Sequence, residues 1–195
     1  PKTGAYVVFA LPGHKLTDSA EALDKASNGA LRRAIKGASF KGERGDILDL
    51  YGLSDIDVGR VLVVGLGRAS ELDGLKAEKI GASLSKKLLT SGAKTVSIVM
   101  DKVDGVKLPV ADLAAHMALG FRLRSYRFDR YLTKKPASKK PSVNKLVIMT
   151  AEPGKTEAAF APLNEVVEGV ALARDLMFEP GNVIYPASYA KEIQK

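Results

Sequence analysis

Five short runs rich in β-branched residues, spaced along the chain with helix-like stretches between them, constrain this sequence more than any other feature in it. Tyr6–Leu11 (YVVFAL) is apolar, and Ile47–Tyr51 (ILDLY) alternates. Arg60–Gly65 (RVLVVG), Thr95–Met100 (TVSIVM) and Lys145–Thr150 (KLVIMT) read as buried central strands. Between them, Thr17–Ser27 and Ala30–Lys36 form a helix pair broken at Asn28-Gly29. Ser70, with Asp73 three residues on, makes an imperfect capping box for a helix carrying Leu72, Leu75, Ile80, Leu84 and Leu88, which Gly92 stops. A third helix is expected from about Val110 to Leu132, with Val110, Ala114, Met117, Phe121, Phe128 and Leu132 in one sector. A fourth runs from about Glu157 to Met177, with Phe160, Leu163, Val167, Val170 and Leu176 inward. A last one begins near Ala187 and is still running at Lys195, which is where a boundary cut would fall. Strands alternating with helices predict a three-layer α/β fold, with a mixed sheet from about Tyr6 to Thr150 and helices on both faces. The helix from about Glu157 should project from it as a connector. Lys134–Asn144 (KKPASKKPSVN) is expected to be an exposed connection.

Length and composition narrow the chemistry. A chain of 195 residues suits one domain, or one domain and the start of another, and can bury a core without staples. It has no cysteine, which removes disulfides, thiolate zinc sites and cysteine nucleophiles together and fits a reducing compartment. No apolar run approaches the roughly 20 residues that cross a bilayer. Pro1–Leu11 has no basic segment of the signal-peptide kind, and Pro1 is not an initiator methionine, so the natural start is expected further upstream.

The net charge of +8 is local. Arg122–Lys145 holds nine basic residues against one acid, Asp129, and the remaining 21 basic and 21 acidic residues cancel. Arg122, Arg124, Arg127, Arg130, Lys134, Lys135, Lys139 and Lys140 are therefore the candidates for binding a nucleic-acid backbone. The plainer reading is a solvated helix face, or arginines paired with acids of another domain or subunit.

Other constellations are thin. His14 sits in a Pro-Gly-His turn and His116 beside an apolar helix face, and neither has a carboxylate at helical ligand spacing, so both read as structural. The acids come in scattered pairs: Asp46 and Asp49, Asp55 and Asp57, Asp101 and Asp104. Asp101 and Asp104 follow a strand, where α/β folds place active-site acids, but Gly105 next to them favours a tight turn. Gly65-Leu66-Gly67 lies between a strand and a helix with Ser70 at the third glycine position, so the dinucleotide fingerprint is not completed. A phosphate cradle at the start of the following helix stays open. Serine nucleophile elbows and P-loops are absent.

Three stretches resemble leucyl aminopeptidases, also called cytosol aminopeptidases. They are AIKGASFKGERGDILDLYG (Ala34–Gly52) with RVLVVGLG (Arg60–Gly67), LRSYRFDRYLTKK (Leu123–Lys135), and ARDLMFEPGNVIYP (Ala173–Pro186). The resemblance runs from about Tyr6 to Lys195. Family members often carry asparagine where this chain has Phe178 and a second proline where it has Gly181. The resemblance implies a non-catalytic amino-terminal domain, macrodomain-like, over residues 1–155. Over residues 156–195 it implies a linker helix and the start of a catalytic domain. The family's two divalent ions, manganese or zinc, are held by a lysine and acids in stretches resembling Asn-Thr-Asp-Ala-Glu-Gly-Arg. No such stretch occurs here, so no catalytic or metal residue is carried over and this chain alone is expected to be inactive. The resemblance further implies a cytoplasmic parent, a hexamer, with the catalytic domain of the same polypeptide as partner. Two alternatives stand beside it: a free-standing macrodomain-like module for a nucleotide or ADP-ribose, and weak, non-specific DNA binding through residues 122–145.

Overall fold

Strand β1 (Gly4–Leu11) is the axis of the molecule, and Val7, Val8, Phe9 and Ala10 are each 1% exposed or less. The structure is a computed structural model and describes residues 4–53, 56–134 and 140–194. After β1 come β2 (Lys15–Leu16), α1 (Asp18–Ala26), α2 (Ala30–Gly37), β3 (Ile47–Tyr51), β4 (Arg60–Gly65) and α3 (Gly74–Leu88). They are followed by β5 (Thr95–Met100), α4 (Val110–Ser125), β6 (Lys145–Thr150), α5 (Pro153–Phe178) and α6 (Pro186–Ile193). The sheet order is β3-β4-β1-β5-β6, with β2 turned back onto the end of β1. β4, β1, β5 and β6 are parallel and β3 is antiparallel to β4, so the sheet is mixed as expected.

Alternation along the strands divides the core in two. Val7, Phe9, Leu62, Val64, Ile98 and Met100 face α3 and α4 and pack on Ile80, Leu84, Met117 and Phe121. Val8, Ala10, Val61, Val63 and Val99 face the other way, onto Ala20, Leu31 and Ile35 of α1 and α2. α1 and α2 part where expected, at Asn28 and Gly29, both with positive φ (52° and 78°).

α3 and α4 approach each other closely. A Cβ at Gly81 would overlap the carbonyl of Met117, and one at Gly120 would overlap the carbonyl of Glu78. Neither position tolerates a side chain while the helices stay where they are, so their backbones meet.

Several expectations are corrected. α3 begins at Gly74: its cap is Asp73, whose carboxylate accepts the Lys76 N–H at 2.8 Å, and Ser70 lies in a short 3₁₀ turn ahead of it. Leu72 is buried before the helix starts, and Leu75 is exposed. β6 is an edge strand, half-buried, because the chain leaves it for α5 and β5 is its one neighbour. α4 ends at Ser125 and does not reach Leu132: Phe128 and Leu132 lie outside the helix, and Leu132 is exposed. α6 ends at Ile193. The predicted connection Lys134–Asn144 lies partly outside the described residues. α5 is where the fourth helix was expected but does not project; it lies along α4 with Val167 buried and Phe160, Leu163, Val170 and Leu176 half-buried.

Replacing Gly81 or Gly120 with alanine should cost at least the roughly 1–3 kcal/mol of an overpacked core. Alanine at Gly169, in α5 with open space around it, should be neutral or stabilise by up to about 1 kcal/mol. Urea unfolding of the three variants checks this, and equal midpoints would contradict the backbone contact.

Candidate functional site

A cleft of about 820 Å³ opens at the carboxyl ends of β5 and β6, where open α/β sheets bind ligands. Asp18, Ser19, Asp101, Lys102, Lys107 and Glu152 give it a mixed charge over an apolar floor that includes Val99, Val103 and Met149. Its strand-end acid is occupied. The Asp101 carboxylate accepts the backbone N–H of Ser19 at 3.0 Å and the Ser19 hydroxyl at 2.5 Å. Thr17, the residue preceding α1, makes no side-chain cap, so Asp101 caps α1 from the neighbouring strand. Asp104 precedes Gly105, which has φ 86°, in the tight turn the sequence suggested.

The other candidates also resolve into structural contacts. His14 Nε2 donates to the Phe40 carbonyl at 2.9 Å, and His116 Nδ1 hydrogen-bonds Glu78 Oε1 at 2.7 Å. Asp46 accepts the N–H groups of Lys41 and Glu43. Asp55 lies outside the described residues. The glycine turn has no donors to spare: Gly65 N–H goes to Asp46, Leu66 N–H to Ala10 and Gly67 N–H to Gly42, all at carbonyls. The anion at the start of α3 is the chain's own Asp73, which also pairs with Lys76 at 2.6 Å. The phosphate cradle left open by the sequence is therefore filled from within. Among the described residues no three His, Asp or Glu side chains gather as a metal site would need. The described part of the chain does not fit a dinuclear centre.

Asp49 makes a two-point ion pair with Arg60. The Arg60 guanidinium grips it with two hydrogen bonds, at 2.9 and 2.8 Å, and Lys87 Nζ stands 3.0 Å away. Burial favours the neutral acid, but Arg60 and Lys87 outweigh it and hold the Asp49 carboxyl below its ordinary value. Arg60 also lies over the Tyr51 ring at 5.0 Å. This cluster ties the antiparallel edge strand β3 to β4 and α3.

The basic segment is where sequence and structure differ most. Arg122 donates to Asn164 and pairs with Glu168 at 2.8 Å; Arg130 pairs with Glu179. Tyr126 donates its hydroxyl to Asp175 at 2.7 Å, and desolvation, then that hydrogen bond, pushes its pKa up to about 12. Tyr131 donates to Glu179, and Arg174 reaches back to the Leu123 carbonyl at 3.1 Å. Two of the predicted binding arginines, Arg122 and Arg130, are thus engaged with α5 and the residue that ends it. Arg124, Arg127, Lys134 and Lys140 are exposed, and Lys135 and Lys139 lie outside the described residues. Sequence reasoning missed Asn164, Glu168, Arg174, Asp175 and Glu179. A signal was present, because Asn164, Glu168, Asp175 and Glu179 fall on one face at helical spacing. The same helix and the chain beyond it carry exposed apolar side chains: Val166, Leu172, Met177 and Phe178, then Tyr185, Tyr189 and Ile193.

Similar proteins agree on one assignment. The model of the cytosol aminopeptidase family, N-terminal domain, matches residues 7–135. A probable cytosol aminopeptidase of Rhodopseudomonas palustris is 38% identical over 192 residues, covering 98% of this chain and 38% of that protein. One of Caulobacter vibrioides is 36% identical over 189 residues, covering 96% of this chain and 37% of that protein. The chain thus spans well under half the length of these relatives. A mutant of tomato leucine aminopeptidase superposes with a TM-score of 0.76 at 24% identity, covering 97% of this chain and 38% of that one. The bottromycin maturation enzyme BotP in complex with Mn superposes with a TM-score of 0.72 at 21% identity, covering 98% and 35%.

The Asp49 cluster carries a pH dependence. Its folded pKa lies below the ordinary 3.8, so its stabilisation is complete above that value and is lost as pH falls through the lowered one. Asp49→Asn should be less stable than the wild type at pH 7, with the gap narrowing steadily below about pH 4. Urea midpoints across this range measure it; a gap that is flat or widens on acidification refutes the assignment.

Proposed function

Since the chain belongs to the cytosol aminopeptidase family by its amino-terminal domain, we propose that it serves a longer polypeptide as the non-catalytic part of a leucyl aminopeptidase. The observation that carries this is the family match over residues 7–135 in a chain spanning 38% of its relatives' length. Residues 1–155 form the amino-terminal unit, macrodomain-like in its layers, and residues 156–195 form the linker helix and the beginning of the catalytic unit. The parent would remove amino-terminal residues from peptides in the cytoplasm, as a hexamer, with two divalent ions, manganese or zinc, that activate water and polarise the scissile carbonyl. Their ligands would lie in the length that this chain does not share with its relatives. The exposed apolar residues of α5 and α6, Leu172, Met177, Phe178 and Ile193 among them, suit burial against that unit.

The isolated chain should not hydrolyse leucine p-nitroanilide with manganese, zinc or cobalt, whereas the parent polypeptide should. Metal-dependent turnover by the pure chain, proportional to its concentration, would refute the non-catalytic assignment, and an inactive parent would refute the aminopeptidase reading.

A second reading, weak duplex-DNA binding, is favoured by the cations that stay exposed, Arg124, Lys134 and Lys140. Binding should be non-specific, with Kd roughly 10⁻⁴–10⁻⁶ M at physiological salt, and should weaken steeply as salt rises. Changing these three to glutamate should abolish it without loosening α5. Titration at low salt decides: equal affinity in wild type and variant, or no binding by either, removes the reading.

A further inference from the structure

α4 and α5 run side by side, and the contacts joining them advance together along both. Arg122 meets Asn164 and Glu168, the Leu123 carbonyl meets Arg174, Tyr126 meets Asp175, and Arg130 and Tyr131 meet Glu179. From Tyr126 onward the partners of α5 come from an irregular strap, 126–131, that continues where α4 stops. The strap is needed there, because Val167 is the last fully buried residue of α5 and nothing apolar covers the remaining eleven residues completely.

We propose that this strap is a clamp that sets the direction in which α5 leaves the α/β unit, with Tyr126 and Glu179 as its positioning residues. The Glu179 side chain is 4% exposed although it stands just past the helix end among exposed neighbours. Arg130 and Tyr131, reaching over from the strap, supply the donors that cover this carboxylate. Phe128 packs against Phe178 at 5.6 Å between the two polar rungs. Arg174 acts from the opposite direction: it satisfies a carbonyl in the last turn of α4 and lies over the Tyr126 ring at 5.3 Å, so α5 holds in place the strap that holds it. The role of the clamp in a parent enzyme rests on the amino-terminal-domain reading: the unit following α5 inherits its placement from this contact, which touches no reacting atom. The clamp itself does not depend on that reading.

The chain has no cysteine, so two introduced ones take spin labels selectively. With labels at Lys36→Cys on α2 and Ala173→Cys on α5, pulsed dipolar spectroscopy reports the spread of distances between the α/β unit and the outer half of α5. In that background the distribution should be narrow. Tyr126→Phe with Glu179→Gln should broaden it at least about twofold, while hydrogen exchange in β1 and β4 stays unchanged. Arg130→Glu alone should also broaden it, and adding Glu179→Arg to that variant, which completes the charge swap, should restore most of the narrow distribution. An unchanged width in the double variant overturns the proposal, as does equally raised exchange in the sheet or a swap as broad as the double variant. Aminopeptidase activity plays no part in this readout, so loss of the functional reading and loss of the clamp are separate results.

Discussion

The approach of α3 to α4 is the contact on which the rest depends. Gly81 and Gly120 bring two helices together backbone to backbone, and Gly74 lies against the His116 ring. That seats α4 low on the sheet, with Met117 and Phe121 in the core and its outer side free to take α5. A bulkier pair at the glycines would lift α4, and with it every contact that α4 and the strap make to α5. Packing interiors are dense enough that a shift of one methyl group is transmitted to the next layer.

The outer layer is held by a different kind of interaction. α5 fully buries Thr156 and Val167 and half-buries Phe160, Leu163, Val170 and Leu176, and charged and hydroxyl groups fasten its outer half to α4 and the strap. Exposed ion pairs contribute little singly, but here several act at successive turns, and Glu179 is covered by two of its partners at once. The positive charge concentrated in residues 122–131 is therefore partly spent inside the chain, at Arg122 and Arg130. A count of charges sees an electrostatic patch; the folded molecule uses part of it as a fastening.

The same economy empties the positions where sequence patterns suggest chemistry. The glycine turn after β4 donates its N–H groups to carbonyls of β1 and of the loop before β3. Asp73 fills the helix start where a phosphate would sit, and Asp101 caps α1 across the cleft. Two histidines hold a loop carbonyl and a neighbouring glutamate. Among the apolar side chains left exposed, a run lies along α5 and α6, from Val166 to Ile193.

By itself, the sequence determined the strands and most of the helices, because runs such as RVLVVG and TVSIVM and the Asn28-Gly29 break are decided locally, by side-chain shape and positive φ. It also carried the family, through stretches such as LRSYRFDRYLTKK. It could not tell that α4 stops at Ser125, since Phe128 and Leu132 continue the helical spacing as well as any residue in it. The end comes from Arg174 satisfying the Leu123 carbonyl and from the Tyr126–Asp175 and Arg130–Glu179 pairs, whose partners lie about fifty residues away. Nor could it show that β6 would lie at an edge, because an apolar run records burial and not the number of neighbouring strands. Local propensity ends where a contact distant in sequence offers more than another helical turn, and only the tertiary structure reveals where those contacts are.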